Sequence, residues 1–270
     1  MADAKNKSRP TKSRSGEING TKLELTLAAE KVFAMNGLRG ATLRQIREEA
    51  GQKNESVIHY HFGSREAIIE SILNLRSNPI DAERLAMLAE LRSKNNGLPL
   101  SSMVIAETCI MPLARYVLDN DEPGYYLRFL VQLRMDRNAW RRFNGLHGEG
   151  SQNSRKALHE AKPYMPVAIL DQRYVSMQYM HINGLAAIEQ VKSEKKGGFR
   201  LDEGWIRVDD MITTAAAIFD APLSPSTLAA IQEADARHAM PTYMGVAMDQ
   251  QRSWQPAPVR SAAEDEKAGA

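Results

Sequence analysis

From Thr21 to about His238 the apolar residues recur at the three-to-four-residue interval of an α-helix, and no stretch keeps the two-residue alternation of a strand for long. A chain patterned in this way buries its stripes helix against helix, so the expected class is all-α. Glycine, proline and asparagine supply the punctuation. Leu25, Ala28, Ala29, Val32 and Phe33 form a first stripe that stops at Gly37. Thr42 and Gln45 have the spacing of a capping box and open a second helix of about two turns, closed by Gly51. Lys53 or Asn54 opens a short third helix ending near Phe62, and Ser64 caps a fourth that runs through Ile68, Ile72 and Leu75 to an expected break at Asn78 and Pro79. Further helices are expected over 79–94, 101–118, 124–144, 151–162, 166–192, 203–220 and 225–238.

Charge divides the chain unevenly. Residues 1–76 carry 13 Lys/Arg against 9 Asp/Glu, whereas the rest carries 22 against 24. A basic surplus at one end suits a phosphate-binding module. Residues 1–20 hold Lys5, Lys7, Arg9, Lys12 and Arg14 among small and polar residues, too little apolar surface to offset ordering entropy, and are expected to form a disordered basic arm. The remaining boundaries are expected at 21–76 for a DNA-binding unit, 77–238 for a larger helical unit and 239–270 for a flexible tail. The single cysteine, Cys109, excludes an internal disulfide and a cysteine-rich zinc cluster. Without an apolar leader or a membrane-length apolar run, the sequence reads as a cytoplasmic protein with no membrane partner.

Two short helices joined by a glycine-containing turn, with a longer helix before them, can hold one helix far enough out to enter a major groove. Residues 42–62 have those lengths. At their N-terminal edge Thr42 and Arg44 suit phosphate oxygens, Lys53 and Asn54 suit base edges, and Ser56 and His59 face DNA one turn later. Arg44 and Arg47 also fit simple solvated charges, and His61 and Phe62 fit packing better than readout. His59 and His61, two residues apart, point to different faces, and no cysteine or third histidine stands near them, so neither a metal nor another cofactor is expected.

Residues 22–70 resemble the N-terminal domain of the TetR family of transcriptional regulators. Ala28, Ala29, Phe33 and Gly37 match its first helix, Thr42 and Ile46 its second, Ala50-Gly51 its turn, and the run Tyr60-His61-Phe62-Gly63-Ser64-Arg65-Glu66 its signature end. The resemblance implies a phosphate-anchoring role for Tyr60 and a basic residue, Arg65, at the start of helix four. The chain departs from the pattern at Gln52, where an apolar residue commonly plugs the turn, at Arg47, where alanine is common, and in one extra residue between Gly51 and Phe62. With that extra residue the family's base-contacting positions carry over only to within one place across Lys53, Asn54, Glu55 and Ser56.

The same resemblance implies an N-terminal three-helix helix-turn-helix domain joined to a larger helical ligand-binding and dimerisation domain, acting as a homodimer on a palindromic operator in double-stranded DNA. Release by an unidentified small-molecule effector is the leading expectation, with an effector-free DNA-binding protein as the alternative. Met103, Met111, Tyr116, Tyr126, Arg128 and Trp140 are the expected pocket residues, and an inward-pointing Arg128 or Arg134 would favour an anionic or acyl ligand. Val175, Gln178, Tyr179 and Ile182, with Trp205, Ile212 and Phe219, form stripes that serve equally well as dimer face or monomer core. An enzyme is not expected, because the sequence has no Gly-rich phosphate loop and no HExxH, and Cys109 sits in an apolar setting.

Overall fold

The computed structural model describes residues 15–120, 124–143, 148–194 and 198–235. Among them every regular element is an α-helix. The N-terminal unit is built from α1 (Ser15–Gly40), α2 (Leu43–Glu49), α3 (Val57–Phe62) and the first half of α4 (Arg65–Lys94). Leu25, Ala29 and Phe33 of α1, Ile46 of α2 and Ile68 and Ile72 of α4 are fully buried and form its core. Helix α1 begins at Ser15, inside the stretch expected to be a disordered arm. Residues 1–14 of that arm, and the expected tail at 239–270, lie outside the described residues. Gly37 interrupts α1 with a φ of 72°, a conformation costly for any side chain, which is the stop its position suggested.

Helix α4 does not break at Pro79. An internal proline costs a helix about 3 kcal/mol. Ile72 and Leu73 before it, and Ile80, Arg84 and Leu88 after it, are all buried, while Pro79 itself is exposed, so burial on both sides offsets the lost hydrogen bond. The result is one rod of 30 residues, about 45 Å long, shared by both halves of the molecule.

The larger unit adds α5 (Ser102–Leu118), α6 (Tyr126–Met135), α7 (Arg137–Arg142), α8 (Glu149–Ala161), α9 (Val167–Glu194), α10 (Leu201–Asp220) and α11 (Pro225–Asp235). The segment expected as one helix over 124–144 is two, because Asp136 leaves helical geometry and its carboxylate accepts the N–H groups of Asn138 and Ala139. Helix α6 lies against α1 and α9, and α5 lies between α4 and α10. No helix among the described residues is long and apolar enough to cross a membrane.

Candidate DNA-reading helices and a buried cavity

The second helix starts as its sequence dictates. Thr42 Oγ1 accepts the N–H of Gln45 at 3.2 Å, and Gln45 Oε1 accepts the N–H of Thr42 at 2.8 Å. Ile46 faces inward, and Thr42 and Arg44 face solvent, Arg44 paired one turn on with Glu48 at 2.7 Å. Helix α3 buries Val57 and Ile58 and presents Ser56, His59 and Tyr60 outward, Tyr60 being 74% exposed. A short helix anchored by Val57 and Ile58, with Phe62 packed against the core and His59 and Tyr60 outward, suits groove reading.

The connection between the two helices holds the main surprise. Helix α3 begins at Val57, so Lys53 and Asn54 stand in the turn before it rather than on its first turn, although both are exposed. Asn54 Oδ1 accepts the N–H of Ser56 at 3.0 Å and Asn54 O accepts that of Val57 at 3.3 Å, which folds the extra residue into a side-chain-stabilised turn. Arg47 supports it from α2, donating to Lys53 O at 3.3 Å, and Gln52 donates to Glu24 on α1 at 3.0 Å. Arg47 and Gln52, two of the three departures from the family pattern, therefore hold the longer turn that is the third.

Arg65 opens α4, as the resemblance implies, but its side chain turns inward. Its guanidinium donates to Ala41 O at 2.9 Å and to Leu38 O, and lies 4.9 Å from the centroid of the Phe33 ring. Half-buried, it ties α4 to the connection between α1 and α2 instead of reaching outward, and burial pushes its pKa down.

Residues 25–72 match the family model for bacterial regulatory proteins of the tetR family. The N-terminal domain is of the TetR type. Over 59 residues the chain is 37% identical to a protein from two strains of Mycobacterium tuberculosis named HTH-type transcriptional repressor KstR2, a stretch that makes up 22% of this chain and 29% of that repressor. The chain thus spans under a third of the length of the curated relatives it matches.

Behind the TetR-type domain, α4, α5, α6, α7, α8 and α9 enclose a cleft with about 560 Å³ of empty space, its mouth included, of which only about 50 Å³ can hold the centre of a water molecule. Tyr126 and Trp140 line it. The other residues expected there lie elsewhere. Met103 is exposed on the first turn of α5, Met111 is half-buried beside the core, and Tyr116 lines a separate hollow with Arg76, Glu189 and Lys192. Arg128 is held at the start of α6, donating to Glu189 at 3.3 Å, to Gly124 O at 2.7 Å and to Ser193 at 3.0 Å. Glu189 caps that helix by accepting the N–H groups of Leu127 and Arg128, and burial still leaves its carboxyl raised above the usual range.

Ser77, Asp81 and Arg84 of α4 and Gln178, His181 and Ile182 of α9 also line the cleft. Sequence reasoning missed this wall because α4 was expected to end at Pro79 and the stripe on α9 served equally well as dimer face or monomer core. Gln178 and Ile182, read as one side of a dimer seam or as core, face the cleft, while Ile212 and Phe219 are buried within the subunit. Gly184 allows close approach within the same chain, where an added Cβ would meet Met211 Sδ of α10 at 2.6 Å. Val175, Tyr179 and Trp205 are half-buried, and Val191, Leu201 and Ile206 carry exposed apolar surface on these two helices. Cys109 is buried and its thiol is pushed up by desolvation.

Proposed function

We propose that this chain is a dimeric transcriptional repressor that binds a palindromic operator through α2 and α3 and is released by a small molecule entering the cleft of the larger unit. The observation that carries the reading is the polar outer surface of the turn and α3, with Lys53, Ser56, His59 and Tyr60 exposed above the buried pair Val57 and Ile58. The similarity of residues 25–72 to TetR-type regulators supports it. In this reading residues 21–76 read DNA, 77–238 bind effector and partner, and the protein works in the cytoplasm without catalysing a reaction.

Residues 42–62 hold Arg44, Arg47 and Lys53 against Glu48, Glu49 and Glu55, so the reading motif is itself neutral. Most of the basic surplus of residues 1–76 comes from residues 1–20. Sequence-independent attraction to phosphates then rests on that arm, and discrimination rests on α3 and its turn. The exposed Ile206 and Val191 favour pairing of subunits through α9 and α10 as a four-helix bundle.

Effector response follows from α4. Ser77, Ile80, Asp81 and Arg84 line the cleft on the same rod that carries Arg65, Ile68 and Ile72 in the DNA-binding unit. The water-sized space in the cleft is too small for a drug-sized ligand, whose pockets run to roughly 300–1,000 Å³. A ligand must push the walls apart, and moving α4 changes the spacing of the two reading helices. Selection from randomised duplexes tests the reading. An enriched inverted repeat with half-sites about one helical turn apart, or a multiple of it, supports it, and recovery of no sequence preference refutes it.

A further inference from the structure

Arg134 lies inside the molecule, 7% exposed, on the wall of the cleft. Its Nε and Nη1 are enclosed and have no hydrogen-bond partner. Aromatic rings flank it, with Cζ 3.9 Å from the centroid of Tyr179 and 4.8 Å from that of Trp140. The guanidinium also donates a hydrogen bond to the Tyr179 side chain, but the ring faces, which attract a cation, offer Nε and Nη1 no acceptor. Arginine keeps its proton in proteins, so a buried positive charge and two unanswered donors remain.

The other ionisable groups on this wall are answered. Arg84 donates to Asp81 at 3.0 Å and to the carbonyls of Thr108 and Cys109, and Asp81 also accepts the N–H groups of Gly150 and Ser151. His181 contacts Met177 O through Nδ1 at 2.9 Å. A carbonyl only accepts, so Nδ1 carries the proton and the neutral ring brings no negative charge to Arg134. Ile80, Leu113, Leu130 and Ile182 make up the apolar remainder. The cleft therefore combines one uncompensated positive charge with an oily lining.

We infer that the cleft binds an organic monocarboxylate, its carboxylate accepting hydrogen bonds from the Arg134 guanidinium and its apolar body lying against Leu113, Leu130 and Ile182. Each edge of a guanidinium presents two parallel N–H groups that match the two oxygens of a carboxylate. One negative charge balances the wall, whereas a phosphate dianion would exceed it. This inference rests on the reading of the cleft as an effector site and adds the class of ligand.

The test is calorimetric titration of the full chain, without DNA, with octanoate and cyclohexanecarboxylate, each compared with the primary amide of the same carbon skeleton. The acids are expected to bind at least tenfold more tightly than the amides. In Arg134→Met the acids are expected to fall to the level of the amides, and in Arg134→Lys, which keeps the charge and loses the fork, to weaken less. Equal binding of acid and amide, no binding of either acid, or undiminished acid binding by Arg134→Met overturns the inference. The comparison on the unaltered protein decides the matter if neither variant folds. Acid binding that leaves DNA affinity unchanged keeps this site and removes the gating. DNA release by the amides without preference for acids keeps the gating and removes this site.

Discussion

Phe33 of α1 packs against Phe129 of α6 with ring centroids 6.1 Å apart and planes tilted by 35°, and Phe129 in turn stacks on Tyr126, a wall of the cleft, at 6.3 Å. Arg65 lies over the other end of this row, on Phe33. A continuous aromatic contact therefore joins the clamp of the DNA-binding unit to the cleft. Close-packed interiors shift between discrete arrangements rather than deforming smoothly, so under the proposed effector control this row would be a second route, beside α4, from the cleft to the reading helices.

Phe129 is fully buried, and Phe129→Ala is expected to lower stability by about 3–5 kcal/mol in urea denaturation. The milder Phe129→Leu keeps much of the volume. It is expected to retain DNA binding while reducing the change in DNA affinity that a cleft ligand produces, read by fluorescence anisotropy with and without octanoate.

Arg65→Met separates a clamp from a phosphate contact. Removing the guanidinium leaves Leu38 O and Ala41 O without their charged donor, for an expected loss of about 1.5–3 kcal/mol in stability. The slope of log affinity against log salt is expected to stay unchanged. A phosphate contact would instead reduce that slope by about 1.

Asn54 has two tasks that two substitutions divide. Asn54→Ala loses both the acceptor for Ser56 N–H and any donor toward a base, so stability and operator affinity should both fall. Asn54→Asp keeps the acceptor and loses the amide donor. It is expected to melt near the unaltered protein yet bind the operator about 1–3 kcal/mol more weakly. Unaltered operator preference in both variants would move base reading to Ser56 and His59.

His181 gives the protein an acid limit. Burial first, and the nearby Arg84 and Arg134 charges, push its pKa down to about 3, against 6.5 for the free group, despite its bond to Met177 O. Between those values the unfolded chain holds a proton that the native state lacks, so stability falls as pH falls, by up to about 1.4 kcal/mol per unit from this group. Well above pH 6.5, where the unfolded chain has lost that proton too, the group contributes no slope. His181→Gln is expected to flatten the stability profile across that window, measured as denaturation midpoints from pH 7 to pH 4.

How far the molecule was legible in its sequence depended on the range of the interactions involved. The capping box at Thr42 and Gln45, the stop at Gly37 and the buried faces of α1, α2 and α4 are local or periodic, and all stand where the sequence put them. Pro79 misled because its local cost is offset by Ile80, Arg84 and Leu88, whose partners lie far along the chain. The start of α3 misled because Asn54 and Arg47 fix the turn through hydrogen bonds that periodicity does not register. Arg128 and Arg134 stand six residues apart on the same helix, and only their tertiary partners distinguish them. Glu189 meets the first, and two aromatic rings meet the second.

The central claim is that α3 and the turn before it lie in the major groove of each half-site of a two-fold-symmetric duplex. Dimethyl sulfate footprinting of a selected duplex addresses this directly, since the reagent marks guanine N7 on the major-groove edge. The account predicts two protected major-groove patches, related by two-fold symmetry and lying about one helical turn apart or a multiple of it. Guanines that stay fully reactive while the protein is bound, or protection of a single patch, would contradict it.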